Sequence, residues 1–143
     1  MRRRELLPWW IKLFIIFLAF AIVSNLVAIG FYLKGLKPNL VVFGFNADNN
    51  YPYVLLLVSA IFFMNFISAV LLWFEKDNAI KFAIANSILG IVLCIVSFVM
   101  DIYNGNFNFR FEIIPLIIFV YYMKKINSEW KNLKPHDVDL ESA

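Results

Sequence analysis

Arg110 and Glu112 stand two positions apart at the head of the apolar run "IIPLIIFVYYM". Opposite charges at such an edge can pair with each other, anchor the chain at a polar interface, or form the mouth of a solute route. Within the other long apolar runs the notable polar side chains are amides and hydroxyls: Asn25, Ser59, Asn65, Ser68, Asn86 and Ser87. A buried amide in a medium without water needs a partner. These six can therefore bond helix to helix or line a pore.

Other chemistries lack their residues. Haem or zinc inside an apolar run would need histidines or several cysteines. The chain has one His, in the polar tail at His136, and one Cys, Cys94. A lone cysteine cannot run thiol–disulfide exchange. The oxygens of Asp48, Asn49, Asn50, Asp101, Asn104, Asn106 and Asn108 follow no calcium-loop spacing. No glycine-rich phosphate loop or nucleophile arrangement is present. No Asp or Glu lies inside the first three apolar runs, which disfavours a proton-coupled carrier built on a buried carboxylate there. The expectation is a non-enzymatic protein with no cofactor and no metal.

The elements that must hold these residues are written for hydrocarbon. The 143-residue chain is 62% hydrophobic and 16% charged, against about 45–50% and about 25% in soluble domains. The apolar residues are gathered into runs at 9–33, 53–74 and 79–100, each long enough to cross roughly 30 Å of hydrocarbon as a helix. The segment 107–123 is a weaker fourth. Its uninterrupted part, 113–123, covers roughly 16 Å as a helix. Beginning at Phe107 would lengthen it, provided Arg110 and Glu112 reach an interface or a protein-lined cavity. The alternative is a re-entrant or interfacial segment.

Charge decides between them. With four spans and both termini cytoplasmic, Arg2, Arg3, Arg4, Lys12, Lys76, Lys81, Lys124, Lys125, Lys131 and Lys134 fall inside. Only Lys34, Lys37 and Arg110 fall outside, a positive-inside bias that three spans would spoil. The net charge of +3 thus flanks helices and forms no patch for nucleic acid. "MRRR" followed by "AFA" at 19–21 imitates a secretory signal, but the apolar run continues through Leu33, so an uncleaved first span is expected.

The fold class expected is an all-α integral membrane protein: a four-helix antiparallel bundle with short extracytoplasmic loops. Residues 1–134 form one domain and 135–143 a flexible acidic tail. The short link "EKDN" makes runs two and three a helical hairpin, with Asp77 or Asn78 capping the third helix. "LVVFGF" and the alternating "FNFRFE" read as strands that pair with each other across the outer end. Lined up by depth, Asn25 should meet Ser59, and Asn65 or Ser68 should meet Asn86 or Ser87. Small residues at Ala79, Ala83, Ser87 and at Asn86, Gly90, Cys94 allow close helix packing. Membrane-surface anchors are expected at Arg2, Arg3, Arg4, Trp9, Trp10, Lys124, Lys125, Trp130 and Lys131. Ile126, Trp130 and Leu133 share one face of a helical extension, 124–134, expected to lie along the inner headgroups.

The functional expectation is an accessory or structural subunit of a bacterial cytoplasmic membrane, acting by helix packing. Its partners would be the lipid bilayer and either copies of itself or other integral membrane proteins. The alternative is a small channel or carrier with a polar route near Asn65, Asn86, Arg110 and Glu112.

Overall fold

The computed structural model describes residues 3–36, 40–46 and 52–133. A short 3-10 turn, Arg3–Leu6, leads into α1, Trp9–Leu33. A two-stranded hairpin follows, β1 Val41–Val42 and β2 Phe45–Asn46. Then come α2, Pro52–Trp73, α3, Ala79–Tyr103, and α4, Ile113–Asn132. α1, α2 from Tyr53, and α3 are long and apolar enough to cross a membrane. With many of its large apolar side chains bare, including Phe17, Phe20, Leu26 and Leu33, α1 suits a lipid solvent and not water.

Three helices end in the same motif. An amide returns to the carbonyl five residues back, with a left-handed residue between: Leu36 to Phe31 at 3.0 Å, Lys76 to Leu71 at 3.1 Å, Asn106 to Asp101 at 2.9 Å. Gly35 and Gly105 supply that conformation after α1 and α3 (φ 73° and 77°), as glycine does at little steric penalty. After α2 the position is Glu75, at φ 55° and buried. A side chain rarely adopts this region, and contacts at the Arg3 end hold it there.

α4 differs from expectation. It begins at Ile113, six residues after Phe107, and runs unbroken to Asn132. Pro115 lies in its first turn, where a missing amide is tolerated. The buried residues Leu116, Phe119, Met123, Ile126 and Trp130 recur at spacings of three and four. That stripe keeps the helix against the bundle over its full length. The extension expected along the headgroups is therefore packed on the protein: Ile126 and Trp130 belong to the core with Leu7, Ile80 and Met123.

Relative height follows from contacts. A side chain at Gly90 would touch Leu116, and the Trp130 indole nitrogen donates to the Lys76 carbonyl at 3.2 Å. α4 thus starts level with the middle of α3 and ends beyond its start. Residues 104–112 fill the difference, descending beside the upper half of α3 as non-helical chain. The hairpin descends too. Phe43 at its turn lies against Gly90, and Gly44 against Ser97 and Arg110, while Val42 and Phe45 pack on Leu55 and Val58 of α2.

The hairpin pairs within itself, Val41 with Asn46 and Val42 with Phe45, and "FNFRFE" is no strand. The expected cross-pairing fails because a two-residue turn, Phe43–Gly44 with φ of 48° and 86°, closes "LVVFGF" on itself. Positive φ at both positions is the twist-matched hairpin turn.

Candidate functional site

Where helical order breaks, the bundle holds a cavity of about 550 Å³. Its floor is a hydrogen-bonded amide cluster. Asn86 Nδ2 donates to Asn65 Oδ1 at 2.8 Å and to Ser68 Oγ at 3.1 Å, joining α3 to α2. Buried Ser87 adjoins them in the cavity wall. Nearer the hairpin end, Ser59 Oγ donates to Asn25 Oδ1 at 3.0 Å, joining α2 to α1. The depth matching drawn from the helix sequences thus corresponds to bonds in the fold. Ser87 is a neighbour and not a bonding partner in that cluster.

The walls are apolar and largely aromatic, drawn from α1, the hairpin, α2 and α4. A smaller cavity of about 190 Å³ shares Phe14, Phe17, Pro115 and Phe119 with the first. Both lie along the seam between α1 and α4. Towards the Arg3 end that seam is closed by ring contacts, Phe14 on Phe119 and Trp10 on Tyr122, with centroids 5.7 and 5.9 Å apart. Towards the hairpin end it widens, because α4 has not yet begun.

Arg110 and Glu112, expected as one charge pair, serve separate places. Alternation along the extended chain turns neighbouring side chains to opposite sides. Arg110 points to α3, where its Nη2 donates to Ser97 Oγ at 3.0 Å and pairs with Asp101. Phe107, Phe109 and Phe111 face outward, the first two edge-on to Phe98 and the third edge-on to Phe109. Glu112, the residue before α4, makes no capping bond; it lies in the cavity wall. The Arg110 Nε is buried with no hydrogen-bond partner, beneath Gly44. A Cβ at Gly44 would overlap Ser97 Oγ and the guanidinium, so glycine alone lets the turn cover this pair.

The Arg3 end is tied differently. Arg3, expected at the membrane surface, is 3% exposed. It donates through Nε to the Leu133 carbonyl at 2.7 Å and through Nη1 to the Glu75 carbonyl at 2.8 Å. Its Nη1 also pairs with Asp77 at 2.7 Å, and the guanidinium stacks over Trp130. Asp77 is thereby engaged, and Asn78 precedes α3 without a side-chain cap. Trp130 is fully buried, so two expected anchors are interior residues. They are interior because each satisfies carbonyls that the helix ends leave open. Trp9, Lys124, Lys125 and Lys131 are exposed, and Trp10 is half-buried. Arg2, the Arg4 side chain, Asp48 to Asn50, Lys134 and His136 lie outside the described residues.

Sequence reasoning missed Ser97 and Asp101 as partners of Arg110. Their spacing of four on the last turns of α3 was the available signal. It also missed that "LVVFGF" inserts into the bundle. Among the described residues no cluster of His, Cys, Asp and Glu could hold a metal.

The fold and hydropathy define a helical membrane protein. No family model, no curated protein and no solved structure matches the chain.

Proposed function

We propose that this protein is a non-enzymatic carrier or binding protein of a cell membrane, taking up a small solute in the cavity between α1 and α4. The carrying observation is the break in helical order around that cavity: a hairpin turn and the start of α4 meet at mid-height of α3. Backbone without continuous helix at membrane depth is tolerated where it is buried in protein or lines a cavity. Transporters place solute sites at such interruptions. In this reading four segments cross the bilayer, with the Arg3 end in the cytoplasm of a bacterial cell. Asn65, Asn86 and Glu112 line the route, and Arg110 fixes the extended chain beside it.

Two tests address it. Single cysteines at positions 49 and 128, in a chain with Cys94 replaced, should react from outside and inside respectively; labelling of position 128 from outside intact cells overturns the topology. Purified protein in liposomes should take up solute in a saturable manner, and Asn86→Leu should alter that uptake. Liposomes that remain as tight as protein-free ones across solutes of both charges overturn carriage.

A second reading, an accessory subunit acting by helix packing, draws on the amides. Asn65, Ser68 and Asn86 already bond one another, as helix-to-helix glue would. Mild-detergent extraction with mass measurement separates the two. A constant, stoichiometric membrane partner favours the accessory role, and a lone chain that moves solute excludes it.

A further inference from the structure

Among the described residues the cavity has one formal charge on its wall, and the charge is negative. Glu112 lines it and makes no ion pair among the described residues. The nearby cation is already matched: Arg110 pairs with Asp101, turns towards α3, and does not line the cavity. Glu112 is one turn before Leu116, which is level with Gly90. It therefore sits near the height of Cys94, roughly 13 Å below the end of α3 at 1.5 Å per residue. The α3 surface above it is bare and apolar at Ile95, Val96, Val99 and Ile102, as a lipid-facing wall would be. Glu112 is exposed at the protein surface, and a carboxylate at such depth in lipid would call for a proton or a counter-cation.

The rest of the wall suits the second option. Phe14, Phe17, Phe20, Phe43, Phe62 and Phe119 surround the space. Ring faces carry negative electrostatic potential and attract weakly hydrated cations. The same faces repel anions, and Glu112 adds to that repulsion. The amide floor offers hydrogen bonds and no net charge. Phe17 and Phe20 are mostly exposed on the membrane side, so entry is from the seam, which an amphiphilic or apolar-bodied molecule can reach through lipid.

We propose that the cavity binds a lipophilic monovalent cation, such as a quaternary or protonated amine on an apolar body, with Glu112 as counter-charge and the phenylalanines as its walls. This rests on the carrier or binding reading above and names its ligand class.

Equilibrium binding on the purified full chain in detergent tests it, with tetraphenylphosphonium and tetraphenylborate as probes. They share size and shape and differ in the sign of charge. The wild-type chain should bind the phosphonium saturably, near one per chain, above an empty-micelle control, and the borate only as empty micelles do. Glu112→Gln should weaken phosphonium binding by about tenfold or more, and Glu112→Asp should retain most of it. Equal binding of both probes overturns the proposal. So does absence of saturable phosphonium binding, or an unchanged affinity in folded Glu112→Gln. The probe comparison on wild type stands even if a variant fails to fold. Saturable phosphonium binding without uptake into liposomes would overturn carriage and leave the ligand class standing. Uptake of a neutral solute without phosphonium binding would do the reverse.

Discussion

The two ends of this bundle are built on different plans. At the Arg3 end four helices meet with an apolar core of Leu7, Ile11, Ile80, Met123 and Trp130, and one arginine ties three segments together. At the hairpin end α4 is absent, and a two-stranded hairpin and an extended leg take its place. The first region closes its backbone groups with helix and a few long-range bonds. The second substitutes glycine-permitted turns and leaves a cavity. Close packing and an open site are thus separated along the bundle axis. A site can be loosely filled at one end when the other end holds the helices in register.

Breaking the tight end should have the largest effect. Trp130→Ala removes a fully buried ring and the donor to Lys76. It should lower unfolding stability by about 3–4 kcal/mol, measured by denaturant titration in mixed micelles. Loss of Arg110 comes next: Arg110→Met leaves Asp101 and Ser97 without their donor. The pair is partly exposed, so the loss should be about 2 kcal/mol.

A subtler break lies at Gly90. Valine there would collide with Phe43 and Leu116 and should lift the hairpin away from α3. Global stability should fall by about 1–2 kcal/mol, while the buried thiol of Cys94 should gain reactivity towards a maleimide. Faster labelling without global unfolding would sharpen the division between the ends, and simultaneous loss of both would break it. Smallest of all, Asn25→Ala removes one interhelical bond to Ser59 and should destabilise by about 0.6 kcal/mol, within reach only of careful replicate titrations.

The first three helices were legible because an apolar run long enough to cross a bilayer has few alternatives. The amide partners were legible for a related reason. Antiparallel helices of known direction convert position into height, which set Asn25 level with Ser59 and Asn65 or Ser68 level with Asn86 or Ser87. What the sequence hid was the interruption. "FNFRFE" has strand-like alternation, yet its turn-closing competitor "LVVFGF" needs no partner beyond itself. Arg110 instead found an aspartate in the last turn of α3. Pro115 suits a helix starting near Ile114 and would kink one starting at Phe107, and the Leu116–Trp130 stripe packs along the later start. Glu112 was expected at the mouth of a route together with Arg110, and the fold brings only Glu112 to the cavity wall. Arg3 was hidden by its company: among three arginines at a chain start, nothing local marks the one that turns inward.

The same arginine constrains the order of events during synthesis. Its guanidinium reaches the carbonyl of Leu133, 130 positions away, and so must wait until the final helix has left the ribosome. Contacts of such separation form late, after shorter loops have closed. Until then the buried left-handed turn at Glu75 lacks the donor that fills its carbonyl. Newly made chains would pass through a period with α2 and α3 formed and the turn between them unlatched until the last residues arrive.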